Sequence, residues 1–163
     1  ERVADPVSSY QIVSMLKGVV QRGTGRRIRA VGKPLAGKTG TTNKEMDTWF
    51  VGFAPDLAVG VFAGFDTPRP LGRRETGSSV SAPIFKTFMA RALQGKPAIP
   101  FRVPPGVRLV RINADTSRPA GPGDKKVILE AFRSGSEPGG ASKVIDGSDG
   151  FSLTGTSSVG GKY

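Results

Sequence analysis

The sequence predicts an α+β fold, an antiparallel sheet with flanking helices. Three observations lead there. Leu35 to Thr42, Thr48 to Phe53 and Leu57 to Phe65 each read as strands, and only short polar or Pro-containing turns separate them. Connections that short suit antiparallel hairpins, because parallel pairing needs a crossover of about a dozen residues. On either side of this block, apolar residues recur at helical spacing.

The elements follow in order. Asp5-Pro6 opens the first helix, with Asp as N-cap and Pro at the first helical position. Ile12, Leu16, Val19 and Val20 give it an apolar face, and Gly23-Thr24-Gly25 stops it. Arg26 to Val31 is basic and short, with no clear period. Pro34 stands just before the strand Leu35 to Thr42, where Thr favours β structure. Asn43 to Asp47 is a polar turn. Thr48 to Phe53 has Trp49, Val51 and Phe53 on one face, and Pro55-Asp56 makes a tight turn. Leu57 to Phe65 is apolar at every position, which predicts burial of both faces.

Asp66 to Ser79 reads as a loop containing Arg73-Arg74-Glu75-Thr76-Gly77. A second helix starts at Ser81-Ala82-Pro83 and carries Ile84, Phe85, Phe88, Met89 and Leu93 on its apolar side. Past Gln94 the composition shifts. Pro97, Pro100, Pro104 and Pro105 make an extended arm, and Val107 to Ile112 and Val127 to Phe132 read as short strands. From Gly135 onward Gly and Ser dominate, as in a disordered segment or linker. The chain thus divides into residues 1–96, a Pro-rich extension with short strands over 97–134, and a Gly/Ser-rich tail over 135–163.

Composition excludes several function classes. With no Cys and no His, a Ser-His-Asp triad, disulfides and most zinc sites are impossible within these residues. A net charge of +11 would suit an anionic partner. The Lys and Arg are scattered, however, and the few aromatics are not interleaved with them as a nucleic-acid surface requires. A solvated basic surface is the plainer reading. No apolar run approaches the roughly 20 residues that a membrane-spanning helix needs. The chain does not open on Met and shows no signal peptide, so it reads as cut from something longer.

The chemistry is concentrated in Gly37-Lys38-Thr39-Gly40-Thr41-Thr42, where a cation between glycines is followed by hydroxyls. Backbone amides, an ammonium and hydroxyls can converge there on one anion. Gly32 to Thr39 fits the G-x-x-x-x-G-K-[ST] phosphate-binding pattern in full, but its context does not. A P-loop needs a buried strand before the first Gly and a helix starting at the Lys. Here Arg26-Arg27-Ile28-Arg29 precedes, and Thr39-Gly40-Thr41-Thr42-Asn43 is a poor helix start. The same residues also read as the Lys-Thr-Gly strand of serine acyl-transferring enzymes of the penicillin-binding class, an edge strand to which a substrate peptide adds. A solvated lysine in a Gly-Thr turn is the bland alternative.

Longer stretches decide between these readings. Val19-Val20-Gln21-Arg22-Gly23-Thr24-Gly25, Leu35 to Thr42, Trp49-Phe50-Val51-Gly52-Phe53, Gly64-Phe65-Asp66, Leu71 to Gly77, Ala82-Pro83-Ile84-Phe85 and Ile99 to Gly106 strongly resemble class A penicillin-binding proteins of the 1A type. The resemblance runs roughly from Ser8 to Arg133. It implies a bifunctional peptidoglycan synthase with a glycosyltransferase domain first, then a D,D-transpeptidase domain of β-lactamase-like, penicillin-recognising fold, of which residues 1–96 are the C-terminal part. It also implies stem peptides ending in D-Ala-D-Ala and β-lactams as ligands, and no cofactor. The expected partner is the upstream part of the same protein, with no nucleic acid. The expected location is the periplasmic side of the bacterial inner membrane, through an N-terminal anchor outside this chain.

Carried over position by position, Lys38 biases the site electrostatically and joins the proton relay, and the Thr41 N–H is one of two oxyanion donors. The Thr39 and Thr41 hydroxyls serve the substrate carboxylate, Gly40 removes a side chain where the substrate approaches, and Thr42 completes the substrate-binding set. The family also needs a Ser-x-x-Lys nucleophile and a Ser-x-Asn upstream. No Ser-x-Asn occurs here. Ser14-Met15-Leu16-Lys17 spells the first motif, but it lies on the helix leading into the motif strand. With Leu16 on the apolar face, Ser14 turns about 200° away from it. The expectation is one wall of an active site without its nucleophile. A P-loop nucleotide binder and a non-catalytic envelope-binding module are the alternatives. The role of Arg73, Arg74 and Glu75 stays open between a salt-bridge network and substrate contact.

Overall fold

The structure, a computed structural model, describes residues 3–139 and 144–146. The chain divides into two compact units, Glu1–Val103 and Pro104–Tyr163. The first contains helix α1 (Pro6–Arg22), a 3-10 turn (Arg26–Val31), strands β1 (Ala36–Thr41), β2 (Asp47–Ala54) and β3 (Leu57–Gly64), and helix α2 (Ser81–Ala92). As expected, Asp5 caps α1: its Oδ2 accepts the Ser8 N–H at 2.9 Å, and Pro6 occupies the first turn. This bond satisfies one of the amides that any helix start leaves unpaired.

The sheet order is β1-β2-β3, antiparallel throughout. Residues paired across the strands share a face, so Thr39, Phe50 and Val61 lie on one side and Gly40, Trp49 and Phe62 on the other. The first side faces the core. There Phe50 meets Phe85 of α2 with ring centroids 4.7 Å apart, joined by Ile28, Leu35, Ala54, Met89 and Leu93. Burying two aromatic rings in a tilted pair makes this contact the main apolar anchor of the unit.

Four expectations change. The buried face of α1 is Val7, Tyr10, Gly18 and Val20, while Ile12 is 54% exposed. Apolar spacing locates a stripe but not which edge of it meets the sheet. Strand β3 is not buried on both faces: Leu57, Val59 and Val61 pack on the core, whereas Ala58, Gly60 and Phe62 are exposed. Two-sided burial depends on a second layer, and uniform apolarity cannot reveal whether one is present. For the same reason only Phe85, Met89 and Leu93 of the α2 face are buried, and Ile84 and Phe88 are exposed. Finally, Ser81 starts α2 without capping it. Its hydroxyl is fully buried and lies 2.8 Å from Thr48 Oγ1, tying helix to sheet.

The compositional break at 96/97 does not coincide with the division of the chain. The arm up to Val103 belongs to the first unit, where Phe101 meets Phe53 edge-on at 5.6 Å, and Pro104 and Pro105 open the second. The second unit holds β4 (Val107–Asn113), β5 (Val127–Arg133) and β6 (Val144–Asp146) in the order β5-β4-β6. Strand β6 falls in the stretch expected to be a linker, and it pairs with β4 over Arg108 to Val110. The rest of that tail lies outside the described residues, apart from 135–139. Within the β4–β5 connection, Asp124 accepts the Gly121 N–H at 2.7 Å and an Asn113 amide hydrogen at 2.6 Å. These bonds, the Gly121 one foremost, hold its carboxyl below the ordinary carboxylate range.

Candidate active site

Strand β1 is an edge of the sheet, paired with β2 alone among the described residues. Just past it, the Thr42 N–H donates to the Asp47 carbonyl at 3.0 Å. Bonded and non-bonded pairs alternate along an antiparallel ladder, so the amides of Gly40 and Lys38 also point toward β2. Those of Thr39 and Thr41 therefore point off the free edge. Lys38 Nζ reaches over the same edge and donates to the Thr39 carbonyl at 2.9 Å. The strand thus presents alternate amides and an ammonium to whatever lies alongside.

The side chains divide by face. Lys38 and Gly40 share the exposed face with Val51 and Trp49, and a Cβ at Gly40 would press on Trp49 Cβ at 3.1 Å. Thr39 and Thr41 lie on the opposite face, and both hydroxyls have protein partners. Thr39 Oγ1 lies 3.0 Å from Thr24 Oγ1, and Thr41 Oγ1 accepts the Gly77 N–H at 3.0 Å. Thr42 Oγ1 accepts the Asp47 N–H at 2.8 Å and so serves the turn. Of the five residues expected in the site, Lys38 to Thr41 lie on this edge strand and Thr42 follows it at the start of the turn.

A loop from Leu71 to Val80 supports the strand. Glu45 anchors one end, accepting the Leu71 N–H on its carbonyl and the Arg74 N–H on Oε2 at 2.8 Å. Ser78 Oγ donates to the Thr24 carbonyl, and Ser79 Oγ donates to Glu75 Oε2, both at 2.8 Å. Among the described residues Arg73 and Arg74 make no salt bridge, so the loop is held by hydrogen bonds rather than by an ion-pair network. Thr24, Glu45, Gly77 and Ser78 are the supporting residues that sequence reasoning gave no role. Gly77 stood in a stretch that carried the family resemblance, but nothing in local pattern signals a partner 36 residues away.

The P-loop reading fails on this geometry. Lys38 and Thr39 sit inside an extended strand, and only a single 3-10 turn, Asn43–Glu45, follows it. No helix starts at the lysine to direct its amides at a phosphate. Ser14 is half-buried on α1.

Comparison with known proteins agrees with the strand geometry. The family described as "Penicillin binding protein transpeptidase domain" matches residues 1–90, more than half of the chain. The chain belongs to that family. Among its relatives, Penicillin-binding protein 1A of Rickettsia conorii is 46% identical over 134 residues, covering 81% of this chain and 16% of that protein. Penicillin-binding protein 1A of Pseudomonas aeruginosa is 42% identical over 149 residues, covering 91% of this chain and 18% of that protein. A crystal structure of Penicillin-Binding Protein 1A from Haemophilus influenzae superposes with a TM-score of 0.72 at 30% identity, over 85% of this chain and 22% of that one. The chain thus spans under a fifth of the length of the Rickettsia conorii and Pseudomonas aeruginosa proteins. The penicillin-recognising α+β fold follows from the same match.

Proposed function

We propose that this chain forms the Lys-Thr-Gly wall of a peptidoglycan-cross-linking D,D-transpeptidase site, in a protein whose nucleophilic serine lies outside it. One observation carries the reading: the free edge of β1 offers the Thr39 and Thr41 amides beside Lys38 Nζ. A stem peptide ending in D-Ala-D-Ala adds to this edge as an extra antiparallel strand. The serine attacks the penultimate carbonyl, the terminal D-Ala leaves with a proton, and an amine of a second stem takes the acyl group. The Thr41 N–H stabilises the oxyanion, a contribution worth roughly 100- to 1000-fold in rate. Lys38 attracts the terminal carboxylate and tunes the proton relay. A β-lactam occupies the same edge and leaves the serine acylated. The family membership supports a location on the periplasmic side of the inner membrane. Among the described residues no helix is long and apolar enough to cross a membrane.

The test is intact-mass analysis of the protein carrying this chain and its upstream part, after incubation with benzylpenicillin. The expected adduct maps to a serine outside this chain and forms far more slowly in Lys38→Ala. An adduct on Ser14, or none at all, would overturn the proposal.

A further inference from the structure

Thr24 lies outside the motif strand and is exposed, yet its position is tightly determined. It stands between Gly23 and Gly25, just past the end of α1. The Gly23 N–H donates to the Gly18 and Val19 carbonyls, both at 3.1 Å, and the Gly25 N–H donates to the Val19 carbonyl at 3.0 Å. Neither glycine leaves ordinary room for a side chain. A Cβ would lie 3.0 Å from Val19 Cα at Gly23 and 3.3 Å from the Val19 carbonyl oxygen at Gly25. From the other side, Ser78 Oγ donates to the Thr24 carbonyl at 2.8 Å. The helix end and the loop thus grip Thr24 through its backbone, and its hydroxyl is delivered 3.0 Å from that of Thr39.

A hydroxyl carries one proton and two lone pairs, so within this pair one hydroxyl donates to the other. If Thr39 donated to Thr24, it would turn only lone pairs toward an incoming carboxylate, and the two would repel. With Thr24 as the donor, the Thr39 proton is free to point at the anion. An anionic ligand selects this second arrangement, and donors in series polarise one another and strengthen the last bond. Thr41 meets the same need by another route, since its hydroxyl accepts the Gly77 N–H and keeps its own proton. The terminal carboxylate that Lys38 attracts lies beside Thr39, the residue of β1 that Thr24 adjoins.

We infer that Thr24 is a positioning residue for the terminal carboxylate of the stem peptide. Its hydroxyl donates to Thr39 Oγ1 and so turns the Thr39 proton toward the substrate. This deepens the transpeptidase reading and rests on it. Thr24 touches no reacting atom, so its effect falls on binding of the carboxylate rather than on acyl transfer.

The experiment uses the protein with its upstream part and a synthetic peptide ending in D-Ala-D-Ala. Thr24→Val keeps the shape of the side chain and removes its hydroxyl. It is expected to raise KM about fivefold with kcat unchanged, the scale of one hydrogen bond between uncharged groups. Thr24→Ser keeps the hydroxyl and is expected to stay within about twofold of the unsubstituted protein. In a Thr39→Val background the bond has no acceptor, and Thr24→Val is expected to add less than about twofold. An unchanged KM in Thr24→Val, a fall in kcat instead, or the same rise in both backgrounds would overturn the role. Failure of Thr24→Ser to hold KM would mark a packing effect and overturn it as well. Benzylpenicillin acylation is measured in parallel. If the unsubstituted protein forms no adduct, the transpeptidase reading fails and the role of Thr24 with it. If it forms the adduct but Thr24→Val leaves KM unchanged, the positioning role alone fails.

Discussion

The Gly77 N–H donates to Thr41 Oγ1 at 3.0 Å, across 36 residues of sequence. The bond fixes one lone pair of the hydroxyl and leaves its proton free to point elsewhere. It also presses the loop flat on the sheet. A Cβ at Gly77 would lie 2.5 Å from both the Gly40 and Trp49 carbonyl oxygens, distances no side chain tolerates. The loop and the motif strand are therefore one mechanical unit, and a change in the loop is felt at the strand edge.

Gly77→Ala should destabilise the protein by about 1–3 kcal/mol, as overpacking against backbone does. Because the strain falls on Gly40 and Trp49, penicillin acylation should slow as well. Thermal melts and acylation rates measured together check this. A variant with unchanged melting and unchanged acylation would show that the contact is easily relieved.

The pair Thr48 and Ser81 gives a cleaner test of stability alone. Both are fully buried, with hydroxyls 2.8 Å apart. Ser81→Ala strands a buried hydroxyl and should cost about 1–3 kcal/mol. Adding Thr48→Val removes the stranded group and should recover much of that. Denaturant unfolding of the two single variants and the double one forms the cycle, and simple additivity would refute the coupling.

Phe85→Ala should be among the most damaging substitutions, at about 3–5 kcal/mol. Phe85 is fully buried against Phe50, whereas Phe88 on the same helix is 50% exposed. Phe88→Ala should therefore cost much less in the isolated chain. Equal losses by chemical denaturation would mean that the two positions are not distinguished in solution.

Asp124 links the second unit to pH. Its folded-state pKa lies below the ordinary value of 3.8, through bonds from Gly121 and Asn113. A depressed carboxylate stabilises the fold above its unfolded pKa and loses that contribution as pH falls through the folded value. Acid unfolding of the second unit below about pH 4 should consequently be less steep in Asp124→Asn. Following β4 amides such as Val110 by NMR during acid titration reads the effect. An identical acid profile in the variant would remove Asp124 from the account.

The isolated chain should be weakly stable and prone to associate. Trp49, Val51 and Phe62 form an exposed apolar band, at 43%, 54% and 52%, on the face opposite the core. Beside them, among the described residues, the outer edge of β3 is unpaired and apolar, and such edges pair with other chains. A sharp, cooperative, monomeric thermal melt would contradict this.

Much of the fold was legible because local chemistry dictated it. Asp5-Pro6 had to start a helix, Pro55-Asp56 had to turn, and short connections had to give antiparallel neighbours. The run Lys38 to Thr42 could be singled out from the sequence because it is consecutive, and the roles given to its members belong to the proposal. Outside the sequence's reach was everything set by partners distant in the chain. Only the tertiary structure decided that Thr24 meets Thr39, that Gly77 backs Thr41, and that the far face of β3 is exposed. The physical reason is that periodicity and propensity report what a segment can bury or bond, whereas the identity of its neighbour depends on which surfaces meet when the chain closes.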